Sequence, residues 1–256
     1  MEKDILAVER RNRIIEAINS SKSIVVGELS RRYSVSEETI RRDLDKLQKQ
    51  GYLIRTYGGA VLPNDIKTDF PAKIREGMNT EAKICIAKKA AALIRNGDCL
   101  FIDASSSSYF LAKEIKDKKI TVITNALNII TELSSERNIT LISTGGKYYS
   151  NHLAFFGPMA DKAIERFNAN KVFFSCKGIS REAWLTDSDE MISESHRAMI
   201  QKSDEAILLC DSTKFGKPSI ICTSDLSGIG TLITEKKLDE YWTEKISGQG
   251  TRILYA

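Results

Sequence analysis

Histidine is nearly absent from this 256-residue chain, which has only His152 and His196, and no two of its five cysteines stand at CxxC spacing. That spacing excludes a zinc knuckle or a CxxC redox pair. Cys85, Cys99, Cys176, Cys210 and Cys222 fall mostly within apolar runs such as LLC and IIC, and they read as small buried core residues. Neither histidine has a partner at metal or triad spacing along the chain. No catalytic residues, no metal and no cofactor are therefore expected. Long apolar runs are missing too, and nothing approaches the roughly 18–20 residues that span a bilayer. The opening stretch, MEKDILAVERRNRIIEAI, mixes charge with apolar residues and has no signal-peptide h-region or small-residue cleavage site. The expectation is a cytoplasmic protein without a membrane partner.

Neither sign of charge dominates, with 38 Lys/Arg against 34 Asp/Glu. The small excess is uneven. Residues 1–62 hold 12 basic against 9 acidic side chains, and the other 194 residues hold 26 against 25. The N-terminal part is thus the one suited to a phosphate backbone. Hydrophobic residues make up 42% of the chain, enough to build a packed core, which excludes a largely disordered chain.

Along the first sixty residues, Ile14, Ile15 and Ile18 share one face of a helix over 9–19. Ile24–Val26 reads as a short β-branched strand, and Gly27–Tyr33 as a short helix with Leu29 as its apolar contact. After a Ser34-Val35-Ser36 turn, Ser36 is placed as N-cap of a helix reaching about Gln50 and stopping at Gly51. Ile40, Leu44 and Leu47 form its core face; Thr39, Arg42 and Lys46 lie opposite. Tyr52–Arg55 and Ala60–Leu62 around Gly58-Gly59 read as a β-hairpin.

That order is a winged helix-turn-helix over residues 1–62. A helix of this kind fits the major groove, its N-terminal residues facing base edges. Arg41 and Arg42 supply bidentate donors for guanine or phosphate, and Ser36 and Thr39 can donate to phosphate. Lys46 shares the exposed face, while Arg55 and Tyr57 flank the wing turn. Each arginine has a plainer use as well: Arg41 paired with Asp45, or Arg42 with Glu38, at i,i+4 spacing. The expected macromolecular partner is double-stranded operator DNA, bound by a dimer or tetramer, since such proteins read paired half-sites.

The stretch Val35-Ser36-Glu37-Glu38-Thr39-Ile40-Arg41-Arg42-Asp43-Leu44, with Leu47, Gly51, Leu53, Arg55 and Tyr57-Gly58-Gly59-Ala60 after it, resembles the signature of the DeoR family of bacterial transcriptional regulators. Arg10, Ile14 and Gly27-x-Leu29-Ser30 fit the same pattern, so the match covers about fifty residues. Tyr57 stands where the family commonly has His.

Pro63-Asn64-Asp65 and Pro71 make residues 63–75 a connector. Over 76–256 strands and helices alternate: helix 80–94, strand 99–103, helix 107–116, strand 120–124, a helix after Asn125, strand 139–143, helix 158–167, strand 171–175, helix 194–203 and strand 206–211. Short strands follow near Ile220, Thr231 and Arg252–Leu254. This is an α/β pattern, a Rossmann-like, mostly parallel sheet covered by helices. Ligands of such sheets bind at the carboxyl ends of strands. Small polar residues gather at those ends: Asp103-Ala104-Ser105-Ser106-Ser107-Ser108, Thr124-Asn125, Thr144-Gly145-Gly146-Lys147, Lys177-Gly178 and Asp211-Ser212-Thr213-Lys214. Hydroxyls and free N–H groups at a helix start suit an anion, phosphate above all. The effector candidates are Asp103, Ser105, Ser106, Ser107, Thr124, Asn125, Gly145, Gly146, Lys147, Lys177, Asp211 and Lys214.

The resemblance extends here. It implies a sensor and oligomerisation domain over 76–256, similar to ribose-5-phosphate isomerase and coenzyme A transferase folds, that responds to a phosphorylated sugar or related metabolite. The family's Asp-x-Gly-Ser-Thr segment falls on Asp103 through Ser107, with Ser105 at the Gly and Ser107 at the Thr. The resulting expectation is a repressor of a carbohydrate-metabolism operon. Two alternatives stand beside it: a sugar-phosphate isomerase-type enzyme with an appended DNA-binding domain and Asp103, Asp187 or Asp211 as base, and a DNA-binding domain on a purely structural oligomerisation module.

Overall fold

A computed structural model describes residues 6–21, 23–49, 52–61, 71–182 and 184–256. The chain divides into two compact units, Met1–Met78 and Asn79–Ala256.

In the first unit, α1 (Ala7–Ser21), β1 (Ser23–Val25), α2 (Val26–Tyr33), α3 (Glu37–Lys49), β2 (Ile54–Thr56) and β3 (Gly59–Val61) are followed by α4 (Ala72–Gly77). Ile14 and Ile18 of α1, Leu29 of α2, and Ile40, Leu44 and Leu47 of α3 bury together with Leu53 and Ala60. The turn between α2 and α3 is made by Ser34, left-handed at φ 53°, whose N–H returns to the Arg31 carbonyl. The strands form an antiparallel sheet in the order β1-β3-β2. The wing turn itself is Tyr57-Gly58, and Gly59 already belongs to β3, where a Cβ would sit 2.0 Å from the Ile24 carbonyl oxygen. The helix stop at Gly51 and the wing's last residue, Leu62, lie outside the described residues, as do 63–70. The end of the span read as connector, 63–75, is helical: Ala72–Gly77 forms a helix that runs past it, with Pro71 preceding its first turn.

The second unit holds α5 (Thr80–Ala91), β4 (Cys99–Ile102), α6 (Ser106–Glu114), β5 (Ile120–Thr124), α7 (Leu127–Leu133), β6 (Ile139–Ser143), β7 (Lys147–Tyr149), β8 (Ala154–Phe156), α8 (Pro158–Ile164), β9 (Ala169–Phe174), β10 (Gly178–Ile179), β11 (Trp184–Asp187), α9 (Glu190–Gln201), β12 (Ser203–Leu209), β13 (Ile221–Asp225), β14 (Thr231–Thr234), α10 (Glu240–Ser247) and β15 (Arg252–Tyr255). Seven strands make a parallel sheet in the order β15-β14-β12-β9-β4-β5-β6. Alternate strand residues go to opposite faces. Leu100, Ile102, Val122, Phe173 and Ile207 pack on Ile86, Leu111 and Ile129 of α5, α6 and α7. Phe101, Ile123, Val172, Phe174 and Leu208 pack on Ile164, Met199 and Ile246 of α8, α9 and α10. The result is a three-layer α/β/α unit with both sheet faces covered, as a parallel sheet requires.

Two features escape the sequence pattern. The hairpin β7–β8 and the small antiparallel sheet β10-β11-β13 stand beside the main sheet, on strands of two to five residues. The cysteines also depart from expectation: Cys176 and Cys210 are buried, but Cys85 and Cys222 are exposed and Cys99 is half-buried. Cys85 lies on the outer side of α5, whose Ile86, Ala87 and Ala90 turn inward, and Cys222 alternates with buried Thr223 on β13. An apolar neighbour in sequence does not imply a shared face.

Candidate DNA-reading helix and effector site

In the first unit, α3 presents its amino end outward. Ser36 caps it: its Oγ accepts the Thr39 N–H at 3.2 Å and lies 2.9 Å from Thr39 Oγ1. Arg41 pairs with Glu37 at 2.6 Å, not with Asp45, and Arg42 with Glu38 at 3.3 Å. These exposed i,i+4 pairs are worth only a few tenths of a kcal/mol, so either guanidinium can exchange its glutamate for a phosphate or base edge at small cost. Lys46 is exposed on the same helix. The wing is tied to α3, since Arg55 Nη1 meets Asp45 Oδ1 at 2.6 Å and its N–H donates to Gln48 Oε1 at 2.7 Å. That leaves Tyr57, fully exposed at the wing tip, as the side chain free to meet DNA there.

Beneath this face is an anchor the sequence reading missed. Asp43 is buried on the core side of α3; Arg10 Nε reaches its Oδ2 at 2.6 Å, and Arg11 Nη1 its Oδ1 at 3.1 Å. The available signal was the helical period: Asp43 falls three residues after Ile40 and four before Leu47, on the apolar face.

In the second unit, the candidates gather at strand ends as the topology dictates. Strand order reverses between β4 and β9, the position where open α/β sheets leave a crevice. Asp103 and the serines leave β4 there. Ser105 caps α6, its Oγ accepting the Ser108 N–H at 3.1 Å, with φ −76° and ψ 155°. This is ordinary extended backbone, so serine in place of the family's glycine costs no strain. Ser105 Oγ also donates to Asp103 Oδ1 at 2.7 Å. The first-turn N–H groups of α6, at Ser106 and Ser107, lack intrahelical acceptors, as in every helix.

Next door, Thr124 is fully buried, and its hydroxyl accepts the Ala126 N–H at 3.1 Å, holding the turn in which Asn125 lies. Gly145 and Gly146 follow β6 with φ 64° and 115°; a Cβ on Gly146 would stand 2.8 Å from the Phe156 carbonyl oxygen. This is why glycine is needed there. Lys147 is exposed, with its ammonium 5.2 Å from the centre of the Tyr149 ring. Lys177 is half-buried, and its N–H donates to Asp187 Oδ1 at 3.3 Å. Asp211, leaving β12, is buried and accepts from Thr213 N at 3.0 Å, from Asn79 Nδ2 at 3.2 Å and from the Thr213 hydroxyl. It thereby shapes the short 3-10 turn Ser212–Lys214 that carries the half-buried Lys214.

His196 corrects the reading that neither histidine has a partner. From α9 its Nδ1 lies 2.9 Å from Asp187 Oδ2 and its Nε2 3.0 Å from Asp103 Oδ2. Burial works against a charged ring, but the carboxylates of Asp187 and Asp103 outweigh it and raise the His196 pKa to about 10. Burial likewise pushes the Asp103 carboxyl up, yet the His196 and serine hydrogen bonds prevail and hold it below its ordinary value. Thr223 Oγ1 donates to Asp187 Oδ2 at 2.7 Å and Ser175 N–H to Asp103 Oδ2 at 3.2 Å. The cluster binds the ends of β4, β9 and β11 to α9. Partners 93 and 9 residues away leave no local motif, so nothing in the sequence announced it.

A winged helix-turn-helix with exposed arginines, joined to an α/β unit with polar residues gathered at its strand reversal, defines a class: DNA-binding regulators governed by a small molecule. Residues 10–65 match the DeoR-like helix-turn-helix domain, and residues 78–236 match the DeoR C terminal sensor domain. The chain belongs to the DeoR family of transcriptional regulators. It is 40% identical over 235 residues to the HTH-type transcriptional regulator YulB of Bacillus subtilis, covering 92% of this chain and 91% of that protein. It is 37% identical to the L-fucose operon activator of Haemophilus influenzae, covering 89% and 91%, and 35% identical to the HTH-type transcriptional regulator GolR of Listeria innocua, covering 97% and 98%. Among solved structures, ribose 5-phosphate isomerase A of Methanocaldococcus jannaschii overlaps 54% of this chain and 56% of its own, at 13% identity and a TM-score of 0.41. Among the described residues, no helix is long and apolar enough to cross a membrane.

Proposed function

We propose that this regulator acts in the cytoplasm as a homo-oligomeric repressor of a carbohydrate-metabolism operon, released when a phosphorylated sugar or related metabolite enters the crevice at the β4/β9 reversal. The DNA-reading side chains are Ser36, Thr39, Arg41, Arg42, Lys46 and Tyr57, with Arg55 holding the wing against α3. The effector side is built on the α6 amino end with Ser105, Ser106 and Ser107, on Asn125, on the Gly145-Gly146 turn and on Lys177 and Lys214, with Asp103 and Asp211 organising their loops. The names of relatives support carbohydrate control: an L-fucose operon activator in one, a putative aga operon transcriptional repressor in another.

One observation carries the reading of a sensor and not an enzyme. An isomerase-type reaction needs a carboxylate or similar base within reach of a C–H proton. Asp103 and Asp187 already share His196 and take donors from Ser105, Ser175, Thr223 and Lys177, and Asp211 takes three. A carboxylate held below its ordinary pKa, as Asp103 is, is a weak base.

The test is a mobility shift on the protein's own upstream DNA, titrated with a panel of sugar phosphates. At least one should release the DNA without being consumed, and Lys214→Ala should keep DNA binding while losing release. Steady conversion of a sugar phosphate that depends on Asp103 would overturn the sensor reading; normal release from Lys214→Ala would remove Lys214 from the site.

A further inference from the structure

We propose that α9 is a wall of the effector site and that Ser195, with Asn125, reads a hydroxyl group of the bound sugar phosphate. This rests on the effector reading above and extends it from the phosphate to the sugar. Consecutive residues of α9 reach two neighbouring strand ends: His196 meets Asp103 after β4, and Ser195 Oγ lies 3.5 Å from Asn125 Nδ2 after β5. The helix therefore packs against the same strand ends as the serine loop.

One polar atom there is unfinished. Asn125 is 1% exposed; its carbonyl accepts the Phe155 N–H at 2.8 Å and its Nδ2 donates to Ser195, but its Oδ1 has no partner. Buried polar groups are nearly always paired, because an unmade bond is costly. Such an atom at a strand end of this sheet fits a group that the ligand completes.

The chemistry selects the group. An amide oxygen only accepts, so its missing partner must be a donor. A sugar hydroxyl donates and accepts, which suits Asn125 Oδ1 and a serine hydroxyl together. A carboxylate only accepts, and it would meet the adjacent Asp103–His196–Asp187 cluster, where two carboxylates stand against one imidazolium. The site therefore favours a phosphorylated sugar or polyol hydroxyl at this position over a phosphorylated acid's carboxylate.

The experiment uses the full chain and thermal shift, with ribose phosphate, fructose phosphate and glycerol phosphate, each beside its deoxy analogue, and inorganic phosphate. The wild type should bind at least one sugar or polyol phosphate, and bind its deoxy analogue roughly five- to a hundredfold more weakly, the range set by one unmade buried hydrogen bond. Ser195→Ala should weaken the same ligand by a like factor and leave inorganic phosphate binding unchanged, and Ser195→Thr, which keeps the hydroxyl, should restore the affinity. A merely structural serine would not separate the sugar from the phosphate in this way. Wild-type affinity for the sugar phosphate in Ser195→Ala would overturn the proposal while leaving the phosphate site standing. No shift of the wild type with any of these phosphates would bring down the effector reading, and this proposal with it.

Discussion

His196 and Asp103 are joined through Nε2 and Oδ2 at 3.0 Å, and because Nδ1 of the same ring faces Asp187 at 2.9 Å, both ring nitrogens must donate and the ring is an imidazolium. Its removal leaves two buried carboxylates without their shared cation. His196→Leu should cost about 3–5 kcal/mol, the usual penalty for breaking a buried ion pair from one side. Urea unfolding followed by circular dichroism measures it; a loss under about 1 kcal/mol would show that the cluster is not a structural tie.

The same cluster sets a pH profile. The His196 pKa rises from 6.5 to about 10 on folding, so its contribution is complete below pH 6.5 and is lost as pH climbs toward 10. Asp103 shifts the other way: its contribution is present above the ordinary value of 3.8 and disappears as pH falls through its lower folded value. Melting temperature should therefore decline from pH 6.5 to 10, and His196→Leu should flatten that decline. An equal alkaline slope in both proteins would refute the assignment.

Asp43 makes a matching prediction for the first unit. Asp43→Ala removes the buried carboxylate that Arg10 and Arg11 both reach, and should destabilise the winged helix by about 3–5 kcal/mol. Amide hydrogen exchange over α1 and α3 reads this directly, as faster exchange confined to residues before Met78.

Arg42 behaves oppositely. Its pair with Glu38 is exposed at both ends, so Arg42→Ala should leave folding within about 0.5 kcal/mol while weakening operator binding by about 1–3 kcal/mol. A mobility shift indistinguishable from wild type would move the reading face off this side of α3.

Much of this was legible in the sequence because it is periodic or local. Ile40, Leu44 and Leu47 repeat at helical spacing, Ser36 caps where a serine before two glutamates should, and the strand–helix alternation gave the α/β layer order. What was not legible is non-local. His196 finds Asp103 across 93 residues, and Arg10 finds Asp43 across 33; each is one polar residue on an otherwise ordinary helix until the fold brings its partner. The strands β7, β8, β10 and β11 are too short to show alternation, and α10, capped by Asp239, packs on only Trp242 and Ile246. Among the effector candidates, Thr124 and Asp211 prove to be occupied within their own turns, a use of Thr and Asp that spacing alone does not separate from ligand binding.

The strand order has a consequence in time. Among the described residues, the strand pairings of the winged helix are made within the first 61 residues, β1 with β3 and β3 with β2. The centre of the other unit cannot close so early: β4 lies against β9, Ile102 beside Phe173, and β9 then needs β12. Contacts of long sequence separation form slowly, and chains fold from the amino end as they leave the ribosome. A growing chain therefore completes its winged helix while the parallel sheet of the other unit is still unbuilt, and truncated products should hold the winged helix without that sheet.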